Sequence, residues 1–372
     1  MVDIEKILKS HQDDDNKKVV GCFPLYPPLE IFSSLGFVPI TLWNIRKYIK
    51  DYSEKDKHLQ SYVCSIGHNL TEFVLKYSQY LSLIFIYNAC DTIRNLPEII
   101  QEGLKEKNRK IPISQMHIPV MQHENDSIKN YLGTEITNLI IQLEEMSGNN
   151  FEKDTFVKNI KLYNKVRKYY TQLENYVAEG RISFNKFSKI IHENNFIPVE
   201  DQISKIEGFI DEIKDNRMEK DDQKLKKVFL SGILPPSEKI IGFMEDLGFR
   251  IVANDIASLS RSYSYIPEIN ENPSEFYWDF YKNHIPCSTL LYSSDDRVSY
   301  VMDLIRRRDA NGHIFIGEKF CEYEYFELPY LEKTLKKADI PSLSLEFSFD
   351  DYENVEAFKT RIEAFAEVLD EN

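Results

Sequence analysis

Three of the five cysteines share a setting that favours metal chemistry. Cys64, Cys90 and Cys321 each lie at or just after the end of a predicted strand or loop, directly ahead of a predicted helix. A thiolate is favoured there by the positive end of the helix dipole, and open α/β sheets bind ligands at the carboxyl ends of their strands. Three thiolates can hold three irons of a cubane cluster and leave the fourth iron to another ligand. These cysteines are therefore candidate metal ligands.

The alternative is that all five cysteines are ordinary apolar side chains. Unpaired cysteine is among the most buried residue types and usually behaves as a small apolar group. Cys22 and Cys287 have apolar neighbours of that kind. The separations between Cys64, Cys90 and Cys321, 26 and 231 residues, match no compact ferredoxin pattern. Spacing alone therefore favours the apolar interpretation.

Other familiar catalytic motifs are missing from the sequence. There is no Walker phosphate loop, no G-x-G-x-x-G, no H-E-x-x-H, no C-x-x-C and no G-x-S-x-G. The eight histidines are scattered along the chain. The cysteines are thus the residues that remain as candidates for chemistry.

Charge and hydropathy exclude two classes of partner. The chain has 372 residues and a formal net charge of −14, which argues against nucleic acid because phosphate binding needs a basic face. No apolar stretch approaches the roughly 20 residues needed to cross a bilayer, and the N-terminus does not resemble a signal peptide. We expect a cytoplasmic protein without a membrane partner, whose odd number of cysteines stays reduced.

The elements that position the cysteines form two predicted α/β units. Apolar runs predict strands at 19–23, 37–43, 83–89 and 113–120, and again at 227–232, 250–253, 313–317 and 343–347. Alternation with helices predicts two flavodoxin- or Rossmann-like parallel sheets, and four helices over 126–217 form a helical segment between them. The predicted domains are 1–124 with Cys64 and Cys90, the helical segment 125–225, and 226–372 with Cys321.

Two stretches of the second half are harder to assign. The Tyr-rich section after residue 253 is predicted to be irregular up to a helix at 298–307. Beyond Cys321, a helix is predicted only over 330–338, after the stretch that ends at Pro329.

The sequence resembles the subunits of 2-hydroxyacyl-CoA dehydratases and the related small subunits of benzoyl-CoA reductase. The resemblance extends from about residue 18 to the C-terminus, and each motif is weak alone but specific in this order. The motifs are Gly21-Cys-Phe-Pro24 with Glu30 and Gly36-Phe-Val-Pro39, Cys64-Ser65, Cys90-Asp91, Tyr163-Asn164 with Arg167, Ser231-Gly-Ile233, Asp255 with Arg261, Lys319-Phe-Cys321, and Thr360-Arg-Ile-Glu-Ala-Phe365.

This resemblance implies a [4Fe-4S] cluster bound by Cys64, Cys90 and Cys321. It also implies a heterodimer with a homologous α-type subunit and an ATP-dependent iron–sulfur activator protein that supplies one electron. The reaction would be radical dehydration of an (R)-2-hydroxyacyl-CoA to the 2-enoyl-CoA through a ketyl radical, in an oxygen-sensitive lyase of anaerobic amino-acid fermentation. Such chemistry needs an enclosed, dry site.

The short length and the opening Gly21-Cys-Phe-Pro24 resemble the β-type subunit. In this family the acyl-CoA substrate is understood to bind mainly at the α-type partner, so the cluster in this chain would relay electrons. Glu322 stands where an Asp commonly follows the third cysteine, Asn254-Asp255 where two acidic residues are common, and Pro27 is unlike many relatives. The first two differences affect the surroundings of the cluster rather than its ligands.

Two alternatives remain open from the sequence. One is a subunit of a benzoyl-CoA-reductase-type enzyme or of another ATP-driven low-potential reductase, which would share the cluster. The other is a cluster-free structural or assembly paralogue, against which the three matching cysteines count. The acyl group and the fourth cluster ligand are not determined by this chain.

Overall fold

Two parallel four-stranded sheets organise the chain in the computed structural model. The structure describes residues 4–13, 17–49, 51–119, 126–214, 225–290, 294–348 and 353–371. The chain divides into two compact units. Unit 1 comprises Met1–Arg167, His192–Ile203 and Tyr265–Tyr292, and unit 2 comprises Lys168–Ile191, Ser204–Ser264 and Ser293–Asn372.

The first sheet, in unit 1, has the strand order β2-β1-β3-β4 with all pairs parallel. Its strands are β1 (Lys18–Cys22), β2 (Phe37–Thr41), β3 (Leu83–Tyr87) and β4 (Ile113–Met116). All five residues of β2 and of β3 are buried, as expected for a sheet covered by helices on both faces. The helices of this part are α1 (Ile4–Asp13), α2 (Leu29–Ser34), α3 (Lys55–His58), α4 (Ser65–Tyr77) and α5 (Asp91–Glu106), with 3-10 turns at Ile45–Tyr48 and Ser78–Tyr80.

Four helices lie between the two sheets along the chain, in the described residues 126–214. They are α6 (Asp126–Ser147), α7 (Lys153–Ala178), α8 (Phe184–Asn194) and α9 (Val199–Lys214). On α6 the buried residues Ile128, Leu132, Ile136, Leu139 and Leu143 recur at helical spacing, so this helix buries one apolar stripe.

The second sheet, in unit 2, repeats the topology of the first with the order β6-β5-β7-β8, again all parallel. Its strands are β5 (Lys226–Gly232), β6 (Phe249–Asn254), β7 (Gly312–Glu318) and β8 (Ser342–Phe347). The remaining helices are α10 (Glu238–Asp246), α11 (Ser260–Tyr263), α12 (Pro273–Asn283), α13 (Ser294–Arg307), α14 (Glu322–Lys337) and α15 (Val355–Glu371). The predicted fold class, two parallel-sheet units with a helical segment between them, is confirmed.

Two long helices differ from the prediction, and the short α11 also lies in the section predicted to be irregular. The Tyr-rich section contains α12, which begins where the Asn272 side chain accepts hydrogen bonds from the amides of Ser274 and Glu275. Its aromatic residues Phe276, Tyr277, Phe280 and Tyr281 join the core of unit 1. Helix α14 begins eight residues earlier than predicted and continues through Pro329.

Parts of several predicted elements lie outside the described residues. They include residue 120 of the fourth strand, residues 215–217 of the helical segment, residue 352 of the last helix, and the predicted domain boundary at 124/125. The three-part domain division stays a prediction.

Candidate functional site

Each of the three candidate cysteines is the residue immediately before a helix. Cys64 is the N-cap of α4, Cys90 the N-cap of α5 and Cys321 the N-cap of α14. The first amides of a helix have no partner within it, so they are available to a negatively charged group. The expectation that these cysteines lie directly ahead of helices is therefore confirmed.

Cys64 and Cys90 head neighbouring helices of unit 1. Helices α4 and α5 pack against each other, and a Cβ on Gly67 would lie 2.8 Å from Cγ2 of Thr92. Gly67 and Thr92 belong to the first turns that follow the two cysteines. The absence of a side chain at Gly67 thus allows the two N-terminal turns to approach closely.

The segment that leads to Cys64 is held by a buried carboxylate of α4. Glu72 is fully buried and accepts hydrogen bonds from three backbone amides: Ser53 at 3.0 Å, Glu54 at 2.8 Å and Lys55 at 2.8 Å. These amides begin α3. The carboxylate thereby fixes α3 to α4, and with it the chain that carries Cys64.

Cys90 is half-buried, and its Sγ accepts a hydrogen bond from the Ile93 amide at 3.5 Å. Burial raises the pKa of the Cys90 thiol, while the backbone amides of Ile93 and Thr92 act in the opposite direction. A bound metal ion would reverse this balance, because a coordinating thiol is held as the thiolate.

Cys321 follows the end of β7 in unit 2 and is also half-buried. Its amide donates to the Glu318 carbonyl at 2.9 Å, which closes a tight turn. Phe320 inside this turn has φ of 68°, a left-handed conformation that is uncommon for an aromatic residue. The tight turn separates the strand from the helix and leaves Cys321 at the helix start.

The other two cysteines are core residues. Cys22 ends β1 and is fully buried, and desolvation raises its thiol pKa well above the ordinary value. The Sγ of Cys287 lies 3.5 Å from Oγ1 of Thr289, and its side chain is 1% exposed. None of the five cysteines forms a disulfide in the structure's described residues.

The donor set fits an iron–sulfur cluster by its chemistry. Three thiols at helix N-caps are soft ligands beside amide groups that stabilise negative charge. Within the described part of the chain, no group of three or more His, Cys, Asp or Glu side chains is arranged to hold a metal ion. The ligand assignment to Cys64, Cys90 and Cys321 stays a prediction.

Unit 2 contains a buried cluster of charged side chains at the carboxyl ends of its strands. Arg297 Nη1 lies 2.8 Å from Asp255 Oδ2, and Arg297 Nε lies 2.8 Å from Glu327 Oε2. Arg261 Nη2 lies 3.7 Å from Asp255 Oδ2 and 3.6 Å from Glu324 Oε1. Asp255, Arg261, Arg297 and Glu324 are buried. We call the set of Asp255, Arg261, Arg297, Glu324 and Glu327 the charge cluster.

Burial shifts the pKa values of three side chains in this region, Glu324, Glu327 and His313. The pKa values of Glu324 and Glu327 are both raised to about 7 by burial, against the opposing effect of the arginines. His313 on β7 is fully buried, and burial lowers its pKa to about 4, so its ring is neutral at pH 7. Its two ring nitrogens lie 2.9 Å from the hydroxyls of Ser231 and Ser342.

The corresponding edge of unit 1 is open. A cleft of about 230 Å³ lies at the carboxyl ends of β3 and β4. It is lined by Tyr87 and Asn88 beside Cys90, by Arg94 of α5, and by His117 and Glu135. The Asn88 side chain binds both backbone groups of Ile118, at 2.7 and 3.1 Å, and so fixes the chain that follows His117.

Sequence reasoning missed Arg297, Glu324 and Glu327 as members of a site. Asp255 and Arg261 enter the sequence argument only as parts of the family motifs. A usable signal was the spacing of Glu324 and Glu327, which places both on one face of a helix that starts at Cys321. The predicted helix begins only at residue 330, so this shared face could not be seen.

No described helix is both long enough and apolar enough to cross a membrane.

The chain matches the family model described as 2-hydroxyglutaryl-CoA dehydratase, D-component, over residues 24–369. It is 28% identical to the (R)-phenyllactyl-CoA dehydratase beta subunit of Clostridium sporogenes, over 98% of this chain and 95% of the relative. It is 26% identical to the beta subunit of (R)-2-hydroxyglutaryl-CoA dehydratase from Acidaminococcus fermentans, over 95% and 93%. It is 24% identical to a benzoyl-CoA reductase subunit from Thauera aromatica, over 90% and 86%.

The family match covers strands β2 to β8 and, with the relatives, confirms the resemblance noted in the sequence. The chain belongs to the 2-hydroxyglutaryl-CoA dehydratase D-component family.

Proposed function

We propose that this chain is the β-type subunit of an oxygen-sensitive iron–sulfur 2-hydroxyacyl-CoA dehydratase. The observation that carries the proposal is the position of Cys64, Cys90 and Cys321, which are all helix N-caps, whereas Cys22 and Cys287 are core residues. Similarity to dehydratase beta subunits over nearly the whole chain supports it.

In this proposal Cys64, Cys90 and Cys321 bind one [4Fe-4S] cluster. When bound, the cluster supplies a one-electron store of low potential. The three thiolates hold it, and the amides of the first turns of α4, α5 and α14 stabilise its negative charge. Partial burial of the thiols limits the access of water and oxygen.

The partners follow from the same proposal. The beta-subunit relatives support a homologous α-type subunit as partner in a heterodimer, with the acyl-CoA substrate mainly at that subunit. An ATP-dependent iron–sulfur activator protein would deliver the electron that this chain relays. The overall reaction converts an (R)-2-hydroxyacyl-CoA to the 2-enoyl-CoA and water, and the electron is recovered.

The similarity to a benzoyl-CoA reductase subunit favours a second candidate, a subunit of an ATP-driven reductase. The two candidates differ in electron stoichiometry. A dehydratase complex forms many products for each electron supplied, whereas a reductase consumes electrons with every product. Counting electrons per product in the reconstituted complex distinguishes them.

Iron analysis of anaerobically purified protein tests the cluster. We expect about four irons and a similar amount of acid-labile sulfide per chain, with visible absorbance. A folded chain that remains free of iron after anaerobic reconstitution would instead support the cluster-free structural or assembly paralogue.

A further inference from the structure

The charge cluster of unit 2 holds more acidic than basic groups. Asp255, Glu324 and Glu327 face two guanidinium groups, those of Arg261 and Arg297. If all five were ionised, the cluster would carry one net negative charge inside the protein. Uncompensated buried charge is costly, so a cluster of this composition favours binding one proton.

Glu324 is the member best suited to hold that proton. Its side chain is 5% exposed, and its nearest cation, Arg261, lies at 3.6 Å, which is longer than a hydrogen bond. Asp255, in contrast, lies 2.8 Å from Arg297. The pKa of Glu324, raised to about 7, agrees with this difference.

A small cavity adjoins the two glutamates. Its volume is about 20 Å³, and Ser231, Arg297, Glu324 and Glu327 contribute polar groups to its wall. A space of this size with such partners can hold one water molecule. Because Glu327 is only partly buried, this water would connect Glu324 to solvent through hydrogen bonds.

Glu324 and Cys321 are linked through one helix. Cys321 caps α14, and Glu324 lies in its first turn. Residues three apart at a helix start are neighbours, and Glu324 is buried, so a negative charge placed at Cys321 would act on it strongly.

We propose that Glu324, assisted by Glu327, is a proton-accepting residue that takes up one proton when one electron reaches the iron–sulfur centre held by Cys321. This inference rests on the proposed function, since it requires that centre. The electron comes from the iron–sulfur activator protein, which is oxidised by one electron. The proton comes from water, and the bond that forms is the O–H bond on a Glu324 carboxylate oxygen.

Several other titratable or charged groups lie in this region of unit 2, and Asp255, Arg261 and Arg297 among them influence the protonation of the pair. They are Asp255 after β6, Arg261 of α11, Arg297 and Tyr300 of α13, His313 of β7, and Cys321 and Tyr325 at the start of α14. His313 and Tyr300 stay neutral through pH 7 to 9, since burial lowers the pKa of the first and raises that of the second. Glutamate is therefore the group that changes charge in this range.

A redox titration of the iron-loaded full-length chain tests the inference. The reduction equilibrium is measured by electron paramagnetic resonance between pH 7 and pH 9, with titanium(III) citrate as reductant. We expect it to shift towards the oxidised form by up to about tenfold per pH unit in the wild type, because one proton accompanies one electron. In Glu324→Gln the shift should disappear.

The matched control is Glu332→Gln, an exposed glutamate on the same helix, which should behave as the wild type. A reduced-minus-oxidised infrared difference spectrum at pH 8 gives a second measurement. It should gain a protonated-carboxyl band in wild type and control but not in Glu324→Gln, an effect that a merely structural residue would not produce.

Two results separate the failure of this inference from the failure of the proposed function. A wild-type chain that binds about four irons but shows no pH dependence of its reduction overturns the proton coupling and leaves the cluster intact. A chain that binds no iron overturns both. Equal pH dependence in Glu324→Gln and wild type, with equal iron content, would also contradict the role of Glu324.

Discussion

The two sheets share one topology but differ at their carboxyl edges. Both have an order in which the first strand lies between the second and the third, with every pair parallel. In unit 1 this edge is an open cleft of about 230 Å³, and two candidate cysteines head adjacent helices. In unit 2 the edge is filled by the charge cluster, with a cavity of about 20 Å³ and one cysteine beside it.

The difference shows that one fold can supply two kinds of environment. Parallel sheets bring loop residues together where the strand order reverses, but the side chains decide whether that place is open or closed. Unit 1 offers two thiols and space. Unit 2 offers one thiol beside a buried group of charged side chains and a cavity of about 20 Å³.

Of the proposed substitutions, the one at Cys321 should have the largest effect, a loss of iron from the chain. In Cys321→Ser the iron content should fall from about four per chain to near zero, because a serine hydroxyl is a poor ligand for a cluster held by three thiolates. The same loss is expected for Cys64→Ser, since both units are proposed to serve one cluster. Iron and sulfide analysis after anaerobic purification measures this.

The matched control is Cys287→Ser, which changes a core cysteine and should retain the iron. If Cys321→Ser removed only part of the iron and Cys64→Ser the rest, the units would hold separate centres. Equal loss in Cys287→Ser would mean that the ligand assignment is wrong.

Removal of one arginine should destabilise unit 2 strongly. Arg297→Met leaves Asp255 and Glu327 without their 2.8 Å partner. Loss of one partner of a buried ion pair typically costs about 3–5 kcal/mol in the free energy of unfolding. The cost should be smaller at pH 6 than at pH 8, because the glutamates, with pKa values raised to about 7, bind protons at the lower pH.

Urea unfolding at the two pH values measures this change, with Lys239→Met as control. Lys239 pairs with Glu353 on the surface, where both side chains are more than 60% exposed, and its loss should cost roughly 0.5 kcal/mol or less. Similar losses in both variants would show that the charge cluster is not the buried, closed environment that distinguishes unit 2.

A smaller effect is expected from Glu72→Gln in unit 1. The amide replaces one of two acceptor oxygens that serve the amides of Ser53, Glu54 and Lys55. The loss should be about 2 kcal/mol of stability, with faster hydrogen exchange of these three amides and weaker iron retention through Cys64.

Glu102→Gln, a change at an exposed site on α5, serves as the control and should alter neither property. Unchanged exchange at all three amides in Glu72→Gln would contradict the idea that this carboxylate fixes the approach to Cys64.

Local patterns predict the sheets well because buried parallel strands are continuous apolar runs. All eight strands lie at the predicted places, with end differences of a few residues. Helix α12 escapes prediction because its aromatic content resembles an irregular section, although Asn272, Pro273 and Glu275 form a recognisable helix start. The predicted start of α14 is wrong because Pro329 lies inside the helix rather than at its boundary.

The charge cluster could not be predicted from local patterns. Asp255, Arg261, Arg297 and Glu324 belong to separate elements of unit 2, and only the strand order brings them together. A single charged residue on a predicted helix is ordinarily a solvated one, so burial is visible only after packing is known. The cysteines are identifiable from the sequence because their position relative to a helix start is a local property.

Both cysteine-capped helices that follow a strand contain an internal proline about two turns from the cysteine. Pro97 in α5 and Pro329 in α14 lack an amide hydrogen, so the carbonyls of Ile93 and Tyr325 have no helical partner at these positions. Each helix is therefore mechanically weakest between its cysteine-bearing end and its remaining turns. Bending at the proline would let the turns between the cysteine and the proline move with any group bound at the cysteine, while the later turns keep their packing.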